Sequence, residues 1–187
     1  MNSATRAVAE IVSGIAPFDA LEQQHVAESL TWLAATDDVF RRVKPATPPR
    51  HLVSYVVMVD PEARAVLLGH HRLAELWLPT GGHVDPGEHP LETARRETAE
   101  EVGVSADFTV TGTDPLFLTI TATNGPDSHE DVSLWYVIRG DHTRRYALDA
   151  REFSSERWCG IDGFGIANTD PHFRRFLAKL NITLARS

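Results

Sequence analysis

Three glutamates near the middle of the chain have a spacing that suits metal binding. Glu97, Glu100 and Glu101 stand at positions i, i+3 and i+4 of the strongly helical stretch 91–102, so they are expected on one helical face. Carboxylates this close repel one another unless a cation lies between them. Because Mg²⁺ and Mn²⁺ prefer oxygen ligands and are often held together with substrate phosphates, the cluster predicts a metal-bridged phosphate substrate. Taken alone, a solvated helix face with charge pairs would explain it more simply.

The loop before this helix also suits a phosphate site. Gly81 and Gly82 let the backbone approach a ligand closely, and they can leave a carbonyl, that of Gly81, free as a metal ligand. Glu88 and Arg96 carry opposite charges on the two sides of the loop–helix junction. A charge-assisted hydrogen bond between them would fix the loop on the helix.

Residues 82–104 closely resemble the Nudix box of the Nudix (MutT-like) hydrolase family, G-x5-E-x7-R-E-U-x-E-E-x-G-U, where U is a bulky apolar residue. One position departs, since Thr98 stands at the first U; it keeps β-branched bulk and removes no ligand. Seven fixed positions would match by chance in roughly 10⁻⁶ of chains of this length. The fixed positions are Gly82, Glu88, Arg96, Glu97, Glu100, Glu101 and Gly103.

The resemblance implies an α/β (α+β) fold, a Nudix-like α/β/α sandwich with a mixed β-sheet. It also implies Mg²⁺-dependent, or Mn²⁺-dependent, hydrolysis of a nucleoside diphosphate derivative, in which a metal-activated water attacks phosphorus. By position in the motif, Glu97, Glu100 and Glu101 are implied as catalytic metal ligands, and the carbonyl of Gly81 as a further ligand. The implied loop-supporting residues are Gly82, Glu88, Arg96 and Gly103.

The general base varies within the family, and sequence spacing does not choose it. We favour Glu152, because it lies in an irregular segment just before a strand predicted at 157–159. The other candidates are Glu130, Asp131 and Glu156.

Three residues near the box are candidates for substrate contact. Arg72 and His83 could touch phosphate and Trp77 could stack on a base, although a surface ion pair and core packing are the competing explanations for Arg72 and Trp77. A nucleoside triphosphate, a damaged nucleotide, a nucleotide sugar, ADP-ribose and a dinucleotide all stay open as substrates. The small main domain, 50–187, favours triphosphates or their damaged forms.

Two other functions compete with hydrolysis. A nucleotide-binding or sensor module without turnover usually loses box carboxylates, whereas this box has lost none. The isoprenoid diphosphate isomerases that resemble the family need a catalytic cysteine, and the only cysteine here, Cys159, lies far beyond the box.

Composition narrows the class of partner. Lysine and arginine number 18 against 26 acidic residues, a net charge of −8, which disfavours general nucleic-acid binding. No apolar stretch approaches the length that spans a bilayer, and one cysteine allows no intramolecular disulfide. We therefore expect a cytoplasmic protein with a small nucleotide substrate and no membrane contact.

The elements that must position the box form three segments: a helical extension over 1–43, a proline-rich linker over 44–49 and a Nudix hydrolase domain over 50–187. The extension is predicted to hold helices at about 3–15 and 19–36, with Asp19 as a helix N-cap. In the second helix we expect Leu21, Val26, Leu30 and Leu33 to be buried, on the main domain or on a partner, which leaves a homodimer open.

The main domain is predicted to open with a β-hairpin of strands 52–60 and 65–68. A short strand at 76–78, a loop over 79–90 and the box helix follow. Strands are then expected at 104–123, 132–138, 146–148 and 157–159, and a last helix at 171–181.

Overall fold

The computed structural model describes residues 1–44, 46–123, 128–163 and 165–186. Within these ranges the helices are α1 (Ser3–Gly14), α2 (Ala20–Ala35), α3 (Pro90–Glu97) and α4 (Phe173–Leu184). The strands in the same ranges are β1 (Arg50–Asp60), β2 (Ala65–His71), β3 (Leu76–Leu78), β4 (Thr80–His83), β5 (Phe117–Ala122), β6 (Glu130–Arg139) and β7 (Phe153–Gly160). None of the helices described here combines the length and the apolar character that crossing a bilayer requires.

The strands follow the order β3-β2-β1-β6-β5, with β4 paired to β1 and β7 paired to β2. The predicted combination of helices with a β-sheet is therefore confirmed. The predicted hairpin is also confirmed, since β1 and β2 run antiparallel with Val59 opposite Val66. The predicted loop over 79–90 is wrong at its start, because Thr80–His83 forms β4 and the Thr80 hydroxyl donates to the carbonyl of Val56 at 3.1 Å.

The chain divides into two compact units. The first comprises Met1–Tyr55, Gly82–Ala94 and Asp114–Tyr136, and the second comprises Val56–Gly81, Arg95–Thr113 and Val137–Ser187. The N-terminal helices thus belong to the same unit as β5.

In the first unit, the predicted buried positions of helix α2 are only partly confirmed. Leu33 is buried and Val26 and Leu30 are half-buried, but Leu21 is exposed. The polar residues Glu22 and His25 are buried as well. The reason lies in β5, an edge strand whose amides need acceptors. Glu22 Oε1 accepts from the amide of Leu118 at 3.2 Å, and His25 Nδ1 accepts from that of Ile120 at 3.3 Å.

The N-cap prediction for α2 is confirmed. The carboxylate of Asp19 accepts from the amide of Glu22 at 2.8 Å, and the backbone of Asp19 is extended. This cap satisfies one of the amides that a helix leaves open at its first turn.

Strands β5 and β6 pair antiparallel from Phe117 opposite Trp135 to Ala122 opposite Glu130. Trp135 is fully buried, and its indole N–H donates to the hydroxyl of Thr119 at 2.9 Å. Burial with a satisfied N–H makes Trp135 a core residue of the first unit.

The strand predicted over 104–123 is confined to its last third. Residues 107–112 form turns instead, because the side chain of Asp107 accepts from the amide of Thr109 and the amide of Gly112 donates to the carbonyl of Phe108. Local side-chain acceptors of this kind compete with strand formation.

In the second unit, β2 pairs antiparallel with β3 on one side and with β7 on the other. Residues 146–148 form no strand, contrary to prediction, although Tyr146 and Leu148 are buried. The last helix is confirmed but begins at Phe173 rather than at 171, and the side chains of Phe173 and Phe176 are completely buried.

Candidate active site

The box helix is not a uniform α-helix. Helix α3 ends at Glu97 and is continued by a π-helical turn, Thr98–Val102, before Gly103 takes the left-handed conformation with φ 74°. The predicted helix C-cap at Gly103 is thereby confirmed. Single π-turns within helices are frequent at functional sites, where the wider turn redirects side chains.

The π-turn separates the three predicted ligands by their environment. Glu101 and Glu97 are buried, with 4% and 9% of their surface exposed, whereas the side chain of Glu100 is 57% exposed. The three predicted ligands thus differ in exposure, with Glu97 and Glu101 buried and Glu100 open to solvent.

Each of the two buried carboxylates accepts a hydrogen bond from a neighbouring residue. Glu101 Oε2 accepts from the amide of Gly81 at 2.7 Å. Glu97 Oε1 accepts from Arg96 Nη1, also at 2.7 Å, and the same nitrogen lies 3.5 Å from Glu100 Oε2. The predicted Gly81 and Arg96 are thus in direct contact with the box carboxylates.

The surroundings of these carboxylates disfavour negative charge. Burial raises the pKa of Glu101 to about 9; the Gly81 amide opposes this rise, and the neighbouring Glu97 and Glu152 add to it. Burial also raises the pKa of Glu97, against the opposing charge of Arg96. Several carboxylates share a space in which the protein supplies too little positive charge.

This donor set fits a divalent cation of the magnesium type. Its side-chain donors are all carboxylate oxygens, the ligands that Mg²⁺ and Mn²⁺ prefer. A bound cation would offset the uncompensated charge that raises the pKa of Glu101 and Glu97.

Among the four candidate bases, the described contacts bring Glu152 to the box. Its carboxylate lies close enough to that of Glu101 to raise the pKa of Glu101. Two backbone hydrogen bonds hold the segment 149–152 in place. The amide of Asp149 donates to the carbonyl of Glu101 at 2.9 Å, and the amide of Glu152 donates to the carbonyl of Asp149 at 3.0 Å.

The other three candidates have different surroundings. Glu130 Oε2 accepts from Arg50 Nε at 2.8 Å, and Asp131 lies among histidines. Glu156 is exposed on β7, opposite Gly69.

The loop that carries Glu88 is held by its own side chains. Glu88 Oε2 accepts from the hydroxyl of Thr93 at 2.7 Å and from the amide of Asp85 at 3.3 Å. Thr93 is fully buried in the first turns of α3. It was missed in the sequence because it occupies a variable position of the motif.

The predicted substrate residues lie in three different settings. Arg72 is exposed and donates to the carbonyl of Ala150 at 2.9 Å. Ala150 lies close in sequence to Glu152. Trp77 is half-buried, with the guanidinium of Arg157 4.0 Å from its ring centre. His83 lies in a group of histidines in the first unit.

A shallow cleft of the second unit collects further charged groups. Arg72 and Arg145 line it together with Glu156 and the backbone around Ala150. Neither Arg145 nor Arg157 was identified in the sequence, because a single arginine outside a motif carries no positional signal.

A family model and several known proteins match this chain. A family model described as the NUDIX domain matches residues 48–180. The asymmetrical bis(5'-nucleosyl)-tetraphosphatase of Mus musculus is 37% identical over 87 residues, which cover 46% of this chain and 56% of the relative. The protein of the same name from Sus scrofa shows the same identity and coverage. The chain thus spans about half the length of these curated relatives.

Solved structures share the fold. The E. coli dihydroneopterin triphosphate pyrophosphohydrolase is 16% identical, with a TM-score of 0.56, over 80% of this chain and 99% of its own. An Ap4A hydrolase from C. elegans, solved as a binary complex, is 23% identical with a TM-score of 0.51, over 72% and 99% of the two chains. At these identities the likeness concerns the fold alone, and it confirms the fold that the sequence implied.

Proposed function

Since the chain belongs to the NUDIX family, we propose that it hydrolyses the diphosphate linkage of a nucleoside diphosphate derivative. The observation that carries the proposal is the group formed by Glu97, Glu101 and Glu152. Two of these carboxylates are buried, and the charge of Glu152 is close enough to raise the pKa of both Glu101 and Glu97. Buried carboxylates this close together cost stability, and perturbed groups of this kind are typical of functional sites.

The cofactor we propose is Mg²⁺, with Mn²⁺ as a substitute. Glu97 and Glu101 would hold it, with Glu100 and the carbonyl of Gly81 as further ligands. When bound, a cation of this kind neutralises phosphate oxygens and lowers the pKa of an attacking water. The hydrogen bond from the Gly81 amide orients Glu101 for that role.

The proton of the attacking water would pass to Glu152. Glu152 is exposed to solvent, while its backbone is held by the turn at Asp149. A carboxylate in this position can act as general base because it is both accessible and adjacent to the buried pair. In this proposal, the general base that hydrolysis requires comes from a loop outside the box.

We propose that two arginines hold the phosphate chain. Arg72 and Arg145 line the cleft beside the turn that carries Glu152. Arginine forms bidentate hydrogen bonds with phosphate oxygens, which fixes the orientation of the chain. The stacked pair of Trp77 and Arg157 offers a flat surface for a nucleobase in the same unit.

For the substrate we propose a dinucleoside polyphosphate. The name of the curated relatives supports it, because they are bis(5'-nucleosyl)-tetraphosphatases of the asymmetrical type. A nucleoside triphosphate, favoured by the small size of the domain, is the second candidate.

The test is a comparison of substrates under identical conditions. Diadenosine tetraphosphate, ATP and ADP-ribose are each incubated with the protein and Mg²⁺, and products are separated by chromatography. We expect AMP and ATP from diadenosine tetraphosphate, and no product after EDTA. If nucleotides bind tightly but none is hydrolysed with Mg²⁺ or Mn²⁺, the protein is a binding module and the proposal fails.

A further inference from the structure

A second polar group lies within the first unit, built from three histidines and one aspartate. His51 is in β1, His83 ends β4, His129 precedes β6 and Asp131 is within β6. One ligand atom from each residue lies within 4.8 Å of the ligand atoms of the other three. Segments distant in sequence thus direct four potential ligands to one point.

Within this histidine cluster, the distances from Asp131 to the three rings are longer than ordinary hydrogen bonds and close to the spacing of ligands on one metal ion. Asp131 Oδ1 lies 3.3 Å from Nε2 of His51, 3.4 Å from that of His129 and 3.7 Å from that of His83. Hydrogen bonds between nitrogen and oxygen are shorter, about 2.7–3.2 Å. Ligand bonds of about 2.0 Å to a tetrahedral zinc ion place neighbouring ligand atoms about 3.3 Å apart.

Two of these atoms are buried without a hydrogen-bond partner. His51 is completely buried, and neither its Nε2 nor Asp131 Oδ1 makes a hydrogen bond within the described residues. Buried polar atoms are nearly always paired, because leaving one unpaired costs about 1–3 kcal/mol. Both atoms face the centre of the cluster, so one ion placed there would satisfy them together.

The outer nitrogens of two rings are already fixed. His51 Nδ1 lies 2.8 Å from the carbonyl oxygen of Pro48, which can only accept, so Nδ1 donates and Nε2 is the ring nitrogen that faces Asp131. His129 Nδ1 lies 3.2 Å from the hydroxyl of Thr123. Histidines that bind metals are oriented by outer hydrogen bonds of this kind.

We propose that His51, His83, His129 and Asp131 bind one Zn²⁺ ion in a closed, four-coordinate structural site. Imidazole nitrogens suit zinc, whereas the all-oxygen side chains of the box suit magnesium. Four protein ligands leave no position for substrate, so the ion joins the start of β1, the end of β4 and the start of β6. Its effect is on the stability of the first unit.

The proposal is tested on protein produced without a histidine tag. The full chain is stripped with a chelator, dialysed and titrated with Zn²⁺ against a competing chromophoric chelator. We expect about one zinc ion per chain, retained in excess Mg²⁺, and a higher midpoint of thermal unfolding than for the stripped protein. A stripped protein that takes up no zinc and shows no change in midpoint would overturn the proposal.

Three variants locate the ion. His129→Gln should lose the bound zinc, whereas His89→Gln, a change at an exposed histidine outside the cluster, should retain it. Glu97→Gln should also retain zinc, which separates this site from the box. Equal zinc content in His129→Gln and the wild type would contradict the assignment.

A spectroscopic measurement on the wild type does not depend on whether a variant folds. Co²⁺ added to the stripped protein should give the intense visible absorption bands of a tetrahedral site, and Zn²⁺ should abolish them. Weak bands typical of six-coordinate Co²⁺ would instead rule out the closed site.

Discussion

The amide of Gly81 donates a 2.7 Å hydrogen bond to Oε2 of Glu101, so the glycine pair and the box helix are directly joined. Gly81 has a φ of 136°, a backbone conformation that residues with a Cβ rarely adopt. The position of the buried carboxylate therefore depends on a conformation that favours glycine.

Replacing Gly81 with alanine should weaken both stability and activity. The positive φ is strained for alanine, which costs about 1–3 kcal/mol, and relaxing it moves the amide away from Glu101. Urea unfolding and the initial rate of substrate hydrolysis measure the two effects.

The matched control is Gly14→Ala. Gly14 is the last residue of α1 and has open space around its Cβ position. Alanine is favoured over glycine in helices by up to about 1 kcal/mol, so this variant should be as stable as the wild type or slightly more so. Equal stability of both variants would show that the Gly81 conformation carries no cost.

Replacing Glu152 with glutamine should lower kcat with little change in KM. The amide keeps the shape of the side chain but cannot accept a proton, and loss of a general base costs about 10²–10⁴-fold in rate. Steady-state kinetics across pH should also show the loss of one ionisation in kcat.

Glu10→Gln serves as the comparison for Glu152. Glu10 is exposed on α1 and belongs to the first unit, whereas Glu152 belongs to the second. The kcat of Glu10→Gln should stay close to that of the wild type. If the two variants lose activity equally, Glu152 has no special role.

Replacing Glu22 with alanine should destabilise the protein by about 1–3 kcal/mol, because buried amides lose their acceptor. Glu22 is fully buried and accepts from the amides of Leu118 and Phe18. Chemical denaturation checks the prediction. Gln24→Ala, an exposed change on the same helix, should stay within about 0.5 kcal/mol of the wild type, and an equal loss in both would refute the role given to Glu22.

Features that depend on neighbouring residues could be predicted from the sequence. The Asp19 cap, the Gly103 cap and the hairpin are set by residues a few positions apart, and the box fixes its own spacing. The burial of Glu22 and His25 on α2 could not be predicted, because these side chains accept from amides of β5, about 95 residues further along the chain. An amphipathic pattern shows apolar positions and gives no sign that a sheet edge needs acceptors.

The candidate site divides in the same way. The motif identified Glu97, Glu100 and Glu101, but it could not show that the helix continues as a π-turn, nor that Glu100 is exposed while the other two are buried. The histidine cluster was missed because its members belong to three segments and His83 was considered only as a phosphate contact. Only the folded chain brings His51 and Asp131 together.

The stability of the protein should fall between about pH 4 and pH 2 through Asp60. Burial by itself would raise the pKa of Asp60, but hydrogen bonds from the amides of Ala63 and His142 and from the His142 ring lower it to about 2. A lowered pKa means that the folded state holds its proton less tightly than the unfolded state does. The stabilisation is therefore present above the unfolded pKa and disappears as the pH falls towards 2.

The pH dependence can be assigned by substitution. Thermal unfolding midpoints of the wild type and of Asp60→Asn are measured from pH 5 to about pH 2. The difference between them should be largest at pH 5 and shrink as the pH falls. A constant difference over this range would mean that Asp60 is not the group responsible.

The most direct test of the proposed chemistry is the rate of hydrolysis by Glu101→Gln in a Mg²⁺ titration. A neutral amide suits the buried position, because the raised pKa already shows that the folded chain disfavours charge there, so the variant should fold. Glu92→Gln, an exposed change in the first turn of α3, is its control. We predict that Glu101→Gln loses about 10²–10³-fold in rate at saturating substrate and needs more Mg²⁺, while Glu92→Gln matches the wild type. A wild-type rate and a wild-type Mg²⁺ dependence in Glu101→Gln would contradict the account.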